Sequence, residues 1–201
     1  MHQRKSKKIL LYFFLLFIFG SINNVSLSKL KFDEIKKINI LGINGAEKEI
    51  FLNDFKSLNL KKLFFLNSNE IINLIDSNTI IEDYEIFKKY PSTLNIKIVK
   101  TIFLAKINLN GEELLIGSNG KLSKSDYSNE ILPYIFGKIN VVEFLKFKKI
   151  IDRSKINYQD IKSFYYFKSK RWDIKLKNNV IIKLSKENTE KSLNDAIIFL
   201  N

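Results

Sequence analysis

Hydrophobic residues follow three patterns along this chain. The first is an unbroken run, Ile9 to Phe19, extended by Gly20-Ser21-Ile22 and interrupted by Asn23-Asn24. It follows Arg4, Lys5, Lys7 and Lys8. The strict run is shorter than the ~20 residues of a full membrane span. A cleaved signal peptide and an uncleaved signal-anchor both fit. Val25-Ser26-Leu27-Ser28 is a poor small-x-small cleavage site, and the run is richer in Phe and Leu than a signal requires. The preferred reading is a transmembrane signal-anchor over 9–27 and a cytoplasmic tail over 1–8. Positive charge ahead of the run then places the rest of the chain outside.

The second pattern mixes strand and helix periods. Ile38 and Ile40 alternate with Lys37 and Asn39 at the end of a strand predicted over 32–41. Gly42 to Gly45 reads as a turn. Phe51, Phe55 and Leu58 recur at helical spacing. Asn67 with Glu70 forms a capping box for a second helix that aligns Ile71, Leu74 and Ile75. Ile80 to Lys88 reads as a strand and Pro91 breaks it. Leu94, Ile96 and Ile98 then alternate with polar neighbours. The order over 32–107 is strand, helix, helix, strand, strand.

The third pattern, over 108–201, is rich in short strands. Asn110-Gly111 and Asn119-Gly120 are turn signals between them. A helix from about Val141 aligns Phe144, Phe147 and Ile151. Phe164 to Leu176 reads as one long strand, with Trp172, Ile174 and Leu176 on one face and Arg171, Asp173 and Lys175 on the other. Asn178-Asn179 turns the chain into a return strand, Val180 to Leu184. A final helix carries the stripe Leu193, Ala196, Ile197 and Leu200. The fold class is α+β: a single transmembrane helix, a small α/β unit and a mixed β-rich unit with flanking helices.

Composition narrows the chemistry. Apolar residues make up 45% of the 201, enough for a packed core. There is no cysteine, hence no disulfide, thiolate metal site or cysteine nucleophile. The single histidine is His2, in the predicted tail, so serine–histidine catalysis and histidine zinc sites are denied to the rest. Glu112-Glu113 sit beside a turn, and Gly111, Gly117 and Gly120 lack the Gly-Lys-Ser/Thr of a phosphate loop. The expectation is no enzyme, no cofactor and no metal. The net charge of +13 comes from scattered lysines without an arginine-rich or aromatic-interleaved stripe. It reads as a solvated surface, then as attraction to anionic lipid beside the anchor, and not as a nucleic-acid site.

From Lys88 to Ala105 the chain reads Lys-Lys-Tyr-Pro-Ser-Thr-Leu-Asn-Ile-Lys-Ile-Val-Lys-Thr-Ile-Phe-Leu-Ala. This resembles the strand that closes the POTRA domain in the FtsQ/DivIB family of cell-division proteins. The match falls on Lys88, Pro91, Thr93, Leu94, Ile96, Ile98 and Ala105, while Lys100, Thr101 and Phe103 stand where the family has Glu, Arg and Pro. Ile38-x-Ile40-x-Gly42 resembles the family's opening strand. Leu132-Pro133 through Gly137 resembles its Leu-Pro-x-x-x-Gly. Arg171-Trp172-Asp173-Ile174-x-Leu176-x-Asn178-Asn179, ending in Leu184, resembles its later hairpin.

The resemblance implies a POTRA domain over 32–107 and an FtsQ-type β domain over 108–201. It implies a non-catalytic divisome scaffold, single-pass in the bacterial inner membrane at the septum, with its C-terminal domain in the periplasm. Its implied partners are FtsL-like and FtsB-like small coiled-coil proteins, and other division proteins through the POTRA domain. Partners of this family add a strand to the edge of the β domain. The family carries a further edge strand after the last helix that is not found before Asn201, so either the sequence stops short of that strand or Val180 to Leu184 has become the exposed edge. The residues expected at a partner contact are Arg171, Trp172, Val180, Ile182 and Leu184. The alternative reading is a membrane-anchored POTRA-type export or assembly factor that chaperones other polypeptides.

Overall fold

The computed structural model describes residues 3–22, 35–58, 68–128 and 130–200. Helix α1 runs Gln3–Ile22. Its apolar side chains stand exposed, among them Leu10, Phe13, Phe17 and Phe19. No helix among the described residues is long and apolar enough to cross a membrane. The basic residues at 4, 5, 7 and 8 occupy the first turns of α1, so the apolar stretch is shorter than the helix. The end of the expected anchor, residues 23–27, lies outside the described residues. So do the start of the first predicted strand and Asn67 of the capping box.

The first unit is a three-stranded sheet in the order β1-β3-β2, with two helices on one face. Strand β1 (Lys37–Leu41) runs parallel to β3 (Thr93–Lys100), and β2 (Ile81–Lys89) is antiparallel to β3. Helices α2 (Gly45–Ser57) and α3 (Ser68–Ser77) lie between β1 and β2 in the chain. Strand alternation sends Ile40, Leu94, Ile96 and Ile98 to the helix side, where Phe51, Phe55, Ile71 and Ile75 meet them. Phe51 and Phe55, one turn apart, touch with ring centroids 4.9 Å apart. Gly42 ends β1 at φ +95°, and a Cβ there would lie 1.8 Å from the Ile98 carbonyl oxygen. Only glycine fits so close a backbone approach at a positive φ.

The second unit is a seven-stranded sheet in the order β10-β9-β8-β7-β4-β5-β6. Its strands are β4 (Phe103–Leu109), β5 (Glu112–Gly117), β6 (Leu122–Lys124), β7 (Tyr134–Phe136), β8 (Ile161–Tyr166), β9 (Trp172–Leu176) and β10 (Ile181–Lys183). Strand β7 is parallel to both neighbours, and the other pairs are antiparallel. Helices α4 (Val141–Arg153) and α5 (Thr189–Leu200) pack on one face. Asn140 caps α4 by accepting from the Val142 N–H at 2.9 Å. Phe144, Phe147 and Ile151 of α4 join Phe164, Trp172, Ile174, Ile182 and Leu193 in the core. The Trp172 and Phe147 rings lie 4.3 Å apart and nearly parallel at 6°.

Several expectations need correction. The long strand predicted over 164–176 is two strands, β8 and β9, joined by a tight turn. Lys170 adopts φ +64°, its N–H donates to the Phe167 carbonyl at 2.8 Å, and that of Phe167 donates to the Arg171 carbonyl at 3.0 Å. The apolar alternation continues in register on both sides of Lys168-Ser169-Lys170, which hides the reversal. The sheets also change before residue 107: β4 pairs in the second sheet, and the link between them is Thr101-Ile102. Leu200 of the final stripe is exposed.

The two units meet through side chains that neither sheet explains alone. Phe103 and Leu115, from the second sheet, are buried in the core of the first. The turn after β5 reaches into the loop between α3 and β2. There Asn119 Nδ2 donates to the carbonyls of Thr79 (3.0 Å) and Ile81 (2.9 Å), while its Oδ1 accepts from the Lys121 N–H at 2.9 Å. Lys121 Nζ donates to the carbonyls of Asp76 (2.6 Å) and Asn78 (3.1 Å), beside the C-terminus of α3, where orphan carbonyls and the helix dipole favour a cation. Glu82 accepts from Ser118 Oγ (2.6 Å) and Thr101 Oγ1 (3.0 Å). Thr101 and Phe103, two of the positions that depart from the family pattern, are both buried in this junction. Lys100, the third, pairs with Glu47 of α2 at 2.9 Å.

Candidate partner-binding edge

Strand β10 closes one side of the large sheet and pairs only with β9 among the described residues. The turn that launches it depends on Asn178-Asn179. Asn179 takes φ +68°, a left-handed conformation that asparagine tolerates, and Asn178 Oδ1 accepts from the Val180 N–H at 3.1 Å. The Leu176 N–H donates to Val180 O (2.9 Å), the Leu184 N–H donates to Trp172 O (3.1 Å), and Ile182 stands opposite Ile174. Antiparallel alternation therefore turns the backbone groups of 180, 182 and 184 toward β9 and those of Ile181 and Lys183 toward the open side. Such a row of outward donors and acceptors is a template for an added strand.

The predicted contact residues separate into different environments. Trp172, Ile182 and Leu184 are 6%, 4% and 2% exposed, within the core beneath α4 and α5. Their side chains hold the edge in place and do not face a partner. Val180 is half-buried against the same core. Arg171 lies on the opposite, outward face. Its Nε and Nη2 donate to the Asp173 carboxylate at 3.1 and 3.2 Å, and its guanidinium lies 4.6 Å from the centre of the Phe167 ring. Asp173 is buried and takes this charge as its partner. Residues that sequence reasoning passed over are Ile181 and Lys183, whose side chains are exposed and whose backbone groups have no partner among the described residues. The signal for them was the same alternation, read on its other parity.

Strand β2 is a second open edge, at the end of the small sheet. It carries Asp83 and Glu85 toward one end and Lys88 and Lys89 toward the other. Among the described residues no group of three or more His, Asp or Glu side chains could hold a metal ion. Titrating groups with displaced pKa values are tyrosines in structural positions. Burial, then the nearby Asp152 carboxylate, pushes the Tyr158 hydroxyl well above its ordinary range. That hydroxyl donates to the Leu104 carbonyl at 2.6 Å, and Lys148 Nζ lies 4.4 Å over the ring. Tyr84 is also raised, by burial first and then by Asp76 and Asp83.

Comparison with known proteins places this architecture. A family profile described as POTRA domain, FtsQ-type, matches residues 34–100. The cell division protein FtsQ of Rickettsia bellii is 28% identical over 142 residues, 69% of this chain and 53% of that protein. FtsQ of Rickettsia prowazekii is 26% identical over 162 residues, 75% of this chain and 58% of that protein. The cell division protein DivIB of Staphylococcus aureus is 30% identical over 103 residues, 50% of this chain and 23% of that protein. The chain thus spans between about a quarter and somewhat over half of the length of these relatives. The profile ends where β3 ends, at Lys100, and the longer matches extend beyond the first unit, so that the first unit is similar to an FtsQ-type POTRA domain and the chain is similar to FtsQ and DivIB cell-division proteins beyond it.

Proposed function

We propose that this protein is a non-enzymatic scaffold of bacterial cell division that binds small coiled-coil partners of the FtsL and FtsB kind by strand addition. The observation that carries the reading is the open β10 edge, where the backbone groups of Ile181 and Lys183 have no partner among the described residues, held by a core of Trp172, Ile182 and Leu184. Its relatives are named as cell division proteins. In this reading residues 9–27 anchor the chain in the inner membrane, with residues 1–8 in the cytoplasm and the two folded units in the periplasm at the septum. Exposed apolar side chains along Ile9–Phe19 suit lipid as their solvent. The POTRA domain contacts other division proteins. The scaffold links early and late division proteins and so controls septal peptidoglycan synthesis.

The test is capture of the full chain from detergent-solubilised membranes of dividing cells, alongside a variant carrying Ile181→Pro and Lys183→Pro. Proline at these positions removes N–H groups from the open side and leaves the bonds to β9 intact. Wild type should recover two small single-pass coiled-coil proteins and the variant should lose them. Recovery of neither by wild type, with no accumulation at midcell, refutes the division reading and favours an export or assembly factor.

A further inference from the structure

The face of the large sheet turned away from α4 and α5 carries an aromatic ridge that the edge does not use. Outward positions of a sheet with one face in water are normally polar. Here Tyr134 and Phe136 of β7 and Tyr165 of β8 occupy them, and Phe167 follows β8. Tyr134 and Phe136 have centroids 4.8 Å apart, and Phe136 stacks on Tyr165 at 5.0 Å and 13°. Phe136 is 46% and Phe167 39% exposed, so the ridge is open to solvent.

Register places cations beside it. One row across the sheet runs Tyr134, Ser163, Lys175, Ile181; the next runs Phe136, Tyr165, Asp173, Lys183. Asp173 is buried and already bound by Arg171. Among the described residues neither Lys175 nor Lys183 has an acidic partner. The patch is therefore apolar at its centre and positive on the side of β9 and β10.

Two features select the kind of occupant. The unmatched lysines call for carboxylates. Phe136 and Tyr165 stack on each other, which covers one face of each ring, whereas bases and sugars need open ring faces on which to stack. We infer that this outer face is a docking surface for an acidic amphipathic segment of a partner polypeptide, apolar side chains on the ridge and carboxylates on Lys175 and Lys183. The surface is distinct from the β10 edge and does not depend on which protein takes that edge.

The experiment uses the purified full chain in neutral detergent, immobilised, and two synthetic amphipathic helices with the same Leu/Phe face. One carries Glu and the other Lys on its polar face. The Glu helix should bind and the Lys helix should bind at least about tenfold more weakly. Lys175→Glu with Lys183→Glu should weaken the Glu helix by about tenfold or more, as should Phe136→Ser with Tyr165→Ser. The Phe136→Ser with Tyr165→Ser variant leaves every backbone group of the β10 edge in place, so its loss of binding separates this surface from strand addition. Circular dichroism checks the fold. If the aromatic variant fails to fold, the lysine variant decides, since it alters only side chains on the outward face. Equal binding of both helices, or no effect of the lysine variant, overturns the proposal. So does displacement of the Glu helix by single-stranded DNA, muramyl glycan fragments or anionic vesicles at charge-equivalent concentration, which would mark a general anion surface.

Discussion

Replacing Asn119 tests whether the two units of this chain are held together as their contacts imply. Its side-chain amide makes two bonds into the POTRA loop, at 3.0 and 2.9 Å, and accepts one within its own turn at 2.9 Å. A net contribution of about 1 kcal/mol per bond puts the cost of Asn119→Ala at roughly 2–3 kcal/mol, with the carbonyls of Thr79 and Ile81 left without their donor. For a chain of this size that corresponds to a Tm lower by roughly 5–10 °C. Asn119→Asp is the sharper probe. It keeps the volume and the acceptor for Lys121 but sets a carboxylate against two carbonyl oxygens, so at neutral pH it should destabilise at least as much. Protonation restores one donor. The introduced carboxyl thus has a folded pKa above its unfolded value, and the Asp variant should regain stability relative to wild type as the pH is lowered. Urea unfolding across pH, with hydrogen exchange on β2–β3 and on β8–β9, reads both effects. A loss below about 0.5 kcal/mol for both variants, with unchanged exchange in both sheets, would refute the argument that this side chain couples them.

Gly42→Ala should cost about 2–4 kcal/mol in urea unfolding, because the added methyl meets the Ile98 carbonyl oxygen at a backbone angle of φ +95°. Trp172→Ala should cost about 3–5 kcal/mol by emptying the stack on Phe147. Arg171→Ala should cost less than Trp172→Ala by thermal melting, since its side chain is about 42% exposed. A larger loss for Arg171 would show that the charge it supplies to buried Asp173 outweighs the aromatic core contact. The buried, neutral Tyr158 has a folded pKa raised above its ordinary 10.0. Its contribution is fully present below pH 10 and declines as the pH rises beyond, so Tm should fall with pH above about 10. Tyr158→Phe should flatten that decline while costing about 1 kcal/mol at neutral pH through the bond to Leu104.

Much of the fold was legible because its causes are local. Alternation of Leu94, Ile96 and Ile98, or helical spacing of Phe144, Phe147 and Ile151, exposes one face to water and buries the other, and all six are buried as that period demands. Turn chemistry was equally local: Asn110, Gly111 and Asn179 all adopt the positive φ that their small or polar side chains permit. The turn into β10 was legible for the same reason. What could not be read depended on residues far apart in the chain. Period 2 continues through a reversal, so β8 and β9 looked like one strand until Lys170 took a left-handed conformation. The buried fate of Trp172, Ile182 and Leu184 followed from which sheet face α4 and α5 cover, and a binding motif and a core motif have the same spelling along a single strand. Asn119 read only as a turn residue, because its partners Thr79 and Ile81 are 40 and 38 residues away. The aromatic ridge likewise exists only once β7, from one stretch of chain, lies beside β8 from another. Sequence determined the faces and turns of each element, through sterics and burial acting over a few residues; pairing across the sheet determined which faces meet, because long-range register is set by the whole core at once.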